Sequence, residues 1–535
     1  MLSRIQWLCL LVVVGFVASG VCSESSAKST QPPLTGEAVV SIRNIINPKI
    51  IGGGVNFAFS DYTYTHLTDG YTWAQQIPLM DDKVEWANFN NLMDFAGFQF
   101  VRFEVGVTQW EPVNDNDKPR ELNLNDGFAF SPGFSTKHPE CKNNTMYMDA
   151  MYRILDEWEK RNIYVMLGNW GAGPGTFCPN NENWMLSEEA KLSNGKVKRH
   201  RWLGVENIDE YTESLAAIMY HLTNEKHYQC VKGISVYNEP EQLSNYYGTL
   251  SGIYNSLGEQ LVRLGIRDKV KIIGLDGSVF WNHEGSGDHS VAKLMKLAGQ
   301  NIDIVSFHDY YSRPEYMKGL NIPLAHGTIR DSMVNSVMLP AIKESKRPFI
   351  LGEVGTQVCD PGNYLYRLYV AEEAIQLFNN GGKAYGYWVF NNTHKDHPWH
   401  MLVMDPDNKR HFIPNKLIYY PMALMMKYIK NGSDIVNSHV TGCVDENNQP
   451  RVFLTTAIKG GDITLLLVND SERPAKLKLD GINSTRKFRT LYVTPDACEK
   501  INIGEDVILN GHDTVSLKPL SITVLTTYRY GNETL

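Results

Sequence analysis

No stretch of this 535-residue chain after its first twenty residues is apolar for long enough to suggest a membrane span, and none is compositionally simple enough to suggest a disordered repeat. It lacks an excess of basic charge: the formal net charge is -8, spread along the chain, which excludes nucleic acid or an anionic membrane surface as an obvious partner. No pair of cysteines has zinc-ligand spacing. The glycine-rich Ile51-Gly52-Gly53-Gly54-Val55 lacks the G-x-G-x-x-G order of a dinucleotide turn, so a nucleotide cofactor is not indicated. Those glycines read instead as close packing at the start of a buried strand. What remains, 43% hydrophobic, 11% aromatic and 21% charged, is the composition of a folded globular protein.

The first residues read as an export signal. Arg4 precedes an apolar run from Ile5 to Val17, and Ala18-Ser19-Gly20 supplies small residues before a cleavage point between Cys22 and Ser26. The expected organisation is a signal peptide over 1–25, a disordered Ser/Thr/Pro-rich leader over 26–44, a first domain over 45–430 and a second over 431–535. The mature protein is then soluble, and secreted or otherwise exported (periplasmic or lysosomal). Removing the signal leaves Cys141, Cys178, Cys230, Cys359, Cys443 and Cys498, an even number compatible with three disulfides, of which Cys443–Cys498 is the favoured pair. Glycosylation sequons begin at Asn143, Asn391, Asn431, Asn469, Asn483 and Asn532.

From residue 45 to 430, short apolar runs alternate with helix-length amphipathic stretches, the pattern of a parallel α/β sheet. Eight runs read as strands: Ile50–Phe59, Phe98–Val107, Ile163–Asn169, Gly233–Asn238, Val270–Leu275, Ile302–His308, Phe349–Glu353 and Ala384–Phe390. Eight strands with helices between them predict a closed (β/α)₈ TIM barrel. The connection Gly171–Gly204 is unusually long for such a fold and reads as a lid or a surface excursion; its Lys196–Arg201 run reads as a solvated basic face. Beyond residue 430 the runs shorten: Val452–Thr456, Ile463–Val468, Ala475–Leu479, Phe488–Val493, Val507–Leu509, Thr514–Leu517 and Ile522–Thr527, which predict an all-β sandwich in a supporting role.

Two carboxylates stand out. Glu239 closes Ile234-Ser235-Val236-Tyr237-Asn238-Glu239-Pro240, and Glu353 closes Phe349-Ile350-Leu351-Gly352-Glu353. A carboxylate at the end of a buried strand is costly unless it has a task. The two are 114 residues apart, about three strand-helix repeats, so both belong at the C-terminal mouth of the barrel where active sites collect. Paired carboxyls across such a mouth suit glycosidic-bond cleavage. Asn238, His308, Tyr310 and Trp388 fall at or just past other strand ends, and Arg102 lies within the second strand. Glu104 is a rival partner for Arg102; Asp276, Glu111 and Glu241 are rival carboxylates. Trp110, Trp170, Trp184, Trp281 and Trp399 lie near strand ends or loops, where packing and sugar stacking both remain open.

This ordered set resembles the glycoside hydrolases of clan A, the family 5 cellulase-like barrels and their relatives in families 39 and 30, over residues 45 to 400. The resemblance implies a retaining hydrolase of a β-linked glycan of glucan, mannan or xylan type. Glu239 would be the acid/base with a raised pKa, and Glu353 the ionised nucleophile. Arg102 would keep Glu353 charged, Tyr310 would donate to it, and His308 would contact Glu239 or the sugar. Asn238 would bind the sugar 2-hydroxyl and Trp388 would floor the site. Asn169, where many family 5 members carry a histidine pair, and Trp170 join them as sugar contacts. No metal and no cofactor is expected; the partner is an oligosaccharide or polysaccharide. A carbohydrate-binding protein on an inactive barrel and a transglycosylase are the alternatives. A metal-dependent barrel hydrolase would want histidines at several strand ends, and only the sixth strand ends in one.

Overall fold

The computed structural model describes residues 31–57, 80–114, 118–139, 144–170, 205, 207–240, 246–278, 291–311, 344–356, 364–391, 399–408 and 411–530. The export signal and the Gly171–Gly204 connection lie outside them. Eight parallel strands close into a barrel: β2 (Gly52–Phe57), β3 (Phe100–Val105), β4 (Tyr164–Asn169), β5 (Val231–Ser235), β6 (Lys271–Ser278), β7 (Ile304–Tyr311), β8 (Phe349–Thr356) and β9 (Ala384–Tyr387), with β9 pairing back to β2. Each corresponds to one of the eight apolar runs. Helices α1 (Lys83–Ala96), α2 (Asn144–Lys160), α3 (Ile208–Tyr220), α4 (Tyr246–Arg263), α5 (Val291–Ala298) and α6 (Leu365–Asn379) stand between them. At the first, the Asp82 side chain accepts from the Val84 and Glu85 amides, and Gly97 ends the helix in the left-handed conformation.

Period-two alternation along each strand sorts the side chains into layers. On β3, Val101, Phe103 and Val105 face the surrounding helices, whereas Phe100 joins Met166, Ile273, Ile304, Ile350 and Ala384 in an apolar plug inside the barrel. Arg102, next on the inward face, starts a polar layer stacked above that plug. Gly54 lets β2 and β3 approach, since a Cβ there would overlap the Phe100 carbonyl.

The second region departs from expectation: the runs Val507–Leu509 and Thr514–Leu517 are one strand, Val507–Leu517, and two further differences bear on how the region is built. Leu34–Asn47, most of which was expected within the disordered leader over 26–44, is strand β1; it pairs antiparallel with β12 (Asp434–Gly442) and parallel with β15 (Ala475–Val493). Its Ser, Thr and charged residues conceal a buried alternation of Leu34, Ala38 and Val40, whose partners lie about four hundred residues away. The sandwich is therefore built from both ends of the chain. The runs Ala475–Leu479 and Phe488–Val493 are one strand, β15, bent by register shifts around Asn483 so that its halves pair with different neighbours. The strands β13 (Val452–Lys459), β14 (Asp462–Asn469), β16 (Asn502–Ile503), β17 (Val507–Leu517) and β18 (Ser521–Thr526) complete the sheet, ordered β1-β12-β13-β14-β18-β15-β16 with β17 against β15.

The uninterrupted apolar run of β14 explains how the two regions meet. Leu465 and Leu467 enter the sandwich core, while Leu466 and Val468 enter the core shared with the barrel. A strand buried on both faces loses polar alternation. Helix α6 packs on β12, β13 and β14, and Asn379 Nδ2 donates to the Leu454 carbonyl at 2.9 Å.

Cys443 is a free, buried thiol in the sandwich core and Cys498 lies in the shared core, so the expected Cys443–Cys498 disulfide does not form. Although both fall in the C-terminal region, they pack into different cores. Cys141, Cys178 and Cys359 lie outside the described residues. The Asn469 sequon is closed in the folded chain: its side chain is buried and Nδ2 donates to the Arg473 and Lys518 carbonyls.

Candidate active site

Arg102 is the centre of the polar layer. It is completely buried, and its five N–H donors make five hydrogen bonds. Nη1 donates to Glu353 Oε1 at 2.7 Å and to Asn56 Oδ1 at 3.1 Å. Nη2 donates to Asn238 Oδ1 at 2.6 Å and Asp276 Oδ2 at 2.7 Å, and Nε to the same Asp276 oxygen at 3.2 Å. A guanidinium so saturated cannot rotate without leaving a buried donor unpaired. Its carboxylate partners are Glu353 and Asp276, and the charge of Glu104 also acts on it.

Two β-bulges shape the layer. Between β6 and β7 the register passes from Leu275–Ser306 to Gly277–Phe307, leaving Asp276 as the extra residue; Leu275 and Asp276 have φ of 65° and 52°. Between β7 and β8 it passes from Phe307–Leu351 to His308–Glu353, leaving Gly352 as the extra residue. A bulge re-aims the side chains around it. Here it turns Asp276 inward, where Oδ2 accepts from Ser235 Oγ at 2.5 Å and Oδ1 from Ser306 Oγ at 2.6 Å and His308 Nε2 at 3.1 Å. Gly352 leaves the room this requires: a Cβ there would overlap Ser306 Oγ and stand 2.8 Å from Asp276 Oδ1. Glu239, also at positive φ (46°), is tied to the same bulge through its amide, which donates to the Asp276 carbonyl at 2.9 Å.

The two glutamates occupy unlike surroundings. Glu353 is 3% exposed and accepts from Arg102 and from the Tyr310 hydroxyl. Burial pushes its carboxyl above the usual carboxylate range, and the charges of His308 and Arg102 pull the other way. The Glu239 side chain is 28% exposed at the mouth. His308 stands between them, with Nδ1 3.2 Å from Glu239 Oε1 and 3.6 Å from Glu353 Oε2. Burial alone would lower the His308 pKa, but the charges of Glu353 and Asp276 and its hydrogen bonds push it up to about 10. Atoms of Glu239, His308 and Glu353 lie within 4.8 Å of one another, a grouping that resembles a metal site. Two carboxylates this close to an imidazole can also serve as acid, base and nucleophile.

Of the nine residues singled out from sequence, Arg102, Asn238, Glu239, His308, Tyr310 and Glu353 converge in one hydrogen-bonded cluster. Asn238 Oδ1 is held by Arg102. Trp388, half-buried just past β9, stacks on Trp170 just past β4, with ring centroids 5.5 Å apart and planes at 25°. Asn169 departs from its expected sugar contact. It alternates with the inward Gly168 and turns to α3, where Nδ2 donates to Tyr211 Oη at 2.6 Å and the Val236 carbonyl at 3.1 Å, bracing the end of β5. Trp110 is fully buried, with Nε1 donating to Ser214, and is packing.

Sequence reasoning missed two members of the cluster. Asn56, fully buried on β2, accepts from Arg102 and donates to the Gly352 and Gly386 carbonyls at 2.9 Å each. An asparagine inside an otherwise apolar Gly-Val-Asn-Phe strand was a readable signal. Asp276 was considered only as a rival carboxylate, and the bulge that brings it inward leaves no mark in the sequence pattern.

No family model matches the sequence, and no curated relative does either. Solved structures do match the fold. A glycoside hydrolase family 30 subfamily 8 xylanase from Clostridium acetobutylicum is 14% identical with a TM-score of 0.54, covering 92% of this chain and 99% of that one. The catalytic domain of a family 30 xylanase from Talaromyces cellulolyticus is 13% identical with a TM-score of 0.59, at the same coverages. An endo-β-1,6-glucanase is 14% identical with a TM-score of 0.58, over 92% of this chain and 94% of its own. These neighbours belong to clan A, and what they share with this chain is a (β/α)₈ barrel with an attached β domain.

Proposed function

We propose that this chain is an exported retaining glycoside hydrolase that cleaves a β-linked glucan, mannan or xylan by double displacement. The observation that carries the reading is the approach of the Glu239 and Glu353 carboxylates to within 4.8 Å, both facing His308 Nδ1. Retaining enzymes hold their carboxyls about 5–5.5 Å apart, whereas inverting enzymes leave about 6.5–9.5 Å for a water molecule. The unlike surroundings of the two also support distinct roles.

In the first half-reaction Glu239, open to the mouth, protonates the glycosidic oxygen as the Glu353 carboxylate attacks the anomeric carbon. The aglycone leaves with the Glu239 proton and an ester joins the sugar to Glu353. In the second, Glu239 takes a proton from water, the water oxygen attacks the anomeric carbon, and Glu353 is released as carboxylate. Arg102 and His308 favour the anionic form of Glu353 that the attack needs. Asn238 Nδ2 donates to the sugar 2-hydroxyl, and Trp388 supplies a flat face for the ring C–H groups. The Arg4–Gly20 segment supports export, and recovery of a mature chain starting between residues 22 and 27 from the culture medium would test it.

The decisive assay sets wild type beside Glu353→Ala on aryl β-glycosides and on xylan, mannan, β-1,4-glucan and β-1,6-glucan, the first and last being substrates in the names of the structural neighbours. Cleavage by wild type is expected, with loss in Glu353→Ala and rescue by azide to a glycosyl azide of inverted configuration. A wild type that binds a glycan but cleaves none would overturn the reading in favour of a binding protein.

A further inference from the structure

Asp276 takes no part in the bond changes just described, yet its carboxylate accepts five hydrogen bonds. It accepts twice from Arg102, once each from Ser235 and Ser306, and once from His308 Nε2, and it is completely buried on the strand between those bearing Glu239 and His308. Burying a charge this deeply is costly unless it is matched, and the Arg102 guanidinium and the His308 ring both face it. A hub of this kind dictates the charge of whatever it holds.

The charges in mutual contact are Arg102 from β3, Asp276 from β6, His308 from β7, Glu353 from β8 and Glu239 after β5, with Tyr310 on Glu353 and the charge of Glu104 reaching Arg102 along β3. Before reaction Glu353 is anionic and Glu239 carries its proton. In the covalent intermediate Glu353 is an ester and Glu239, having given that proton to the leaving group, is the anion. One negative charge has moved from one glutamate to the other. His308 Nδ1 lies 3.2 Å from the second and 3.6 Å from the first, so one N–H faces both positions of that charge without moving.

Resting on the glycosidase reading, we propose that Asp276 is a positioning residue that holds His308 as a permanent imidazolium, whose Nδ1–H is the shared counter-charge as negative charge passes from Glu353 to Glu239 between half-reactions. Serine hydroxyls on the far lone pairs of Asp276 fix its carboxylate plane, and the bulge at Leu275–Asp276 delivers it. The high His308 pKa agrees with this geometry.

The test needs no substrate in its first part. In wild type labelled with ring-¹⁵N histidine, the His308 resonances, assigned by their absence in His308→Gln, are expected to show both nitrogens protonated at pH 8. A neutral ring at pH 8 overturns the proposal even if the protein proves to be an active glycosidase. In the second part, Asp276→Asn keeps the shape and removes the charge. Its His308 is expected to titrate near the ordinary imidazole range, around 6.5, and its kcat/KM–pH profile to gain a limb there that wild type and Ser306→Ala lack, with kcat reduced roughly 10–100-fold. An Asp276→Asn enzyme of wild-type pH profile overturns the proposal. If that variant does not fold, the wild-type resonances decide. A wild type inactive on every glycan while His308 is doubly protonated overturns the functional reading and leaves the charge assignment standing.

Discussion

The barrel mouth and the sandwich use burial for opposite ends. In the sandwich core, Leu465, Leu467, Leu477, Leu479, Phe488 and Leu525 are sealed among other apolar side chains, and each contributes about 1.5–3 kcal/mol through surface removed from water. At the mouth, Arg102, Asp276, His308 and Glu353 are sealed just as tightly, and their burial gains nothing from water. It strengthens each charge's effect on its neighbours, because an apolar plug lies beneath them and the effective dielectric is low. Complete hydrogen bonding is what makes such a layer tolerable. The comparison teaches that buried area measures stability in one region and electrostatic control in the other.

That contrast can be broken at several points. The largest expected effect is on chemistry alone: Glu353→Ala should lower kcat by about four orders of magnitude or more, as loss of a nucleophile does, measured on an activated aryl glycoside. Next, Arg102→Lys replaces a five-donor fork by three donors and leaves buried acceptors unpaired. It should cost about 3–5 kcal/mol in denaturant unfolding and reduce activity with it; unchanged stability would mean the network is not rigid. In the sandwich, Leu467→Ala should cost about 2–5 kcal/mol by opening a cavity while kcat at a temperature below unfolding stays at the wild-type value. A fall in kcat would show that the two regions communicate.

A smaller effect separates them by pH. Asp470, at the end of β14 facing Arg451 and Glu372, is pushed up to about 6 from 3.8, by burial first, against the pull of Arg451. A carboxyl raised in the folded state holds its proton more tightly than the unfolded chain does. Its favourable contribution is therefore complete below pH 3.8 and is lost as pH rises through about 6. Wild type should lose melting temperature relative to Asp470→Asn across that window, whereas His308, raised from 6.5 to about 10, contributes stability that is complete below pH 6.5 and is lost as pH rises through about 10. The smallest effect belongs to the exposed Lys118–Glu121 pair, which can be removed with no resolvable change in melting temperature.

Much of this architecture was legible one residue at a time. The eight barrel strands were visible because parallel strands buried on both faces are short unbroken apolar runs, and the helices because one face must be apolar. Glu239, Glu353, Asn238, His308 and Tyr310 were visible because a polar residue ending such a run is out of place. Three features were not legible, each for a physical reason. Strand β1 depends on partners about four hundred residues away, and a locally polar segment gives no sign of them. Asn169 sits at a strand end but on the outward face, and only the alternation fixed by Gly168 against Arg102 distinguishes the two. Asp276 enters the site through a one-residue bulge, which breaks the period-two rule that would otherwise predict its direction.

By itself, then, the sequence determined the elements, their order and the chemical types delivered to the ends of the strands, because periodicity and local propensity are properties of neighbouring residues. The tertiary structure alone decided which carboxylates face each other, which is sealed and which open, and that Asp276 joins Arg102 to His308. Those are consequences of barrel closure and of two bulges, and they set distances across the barrel that no local pattern encodes.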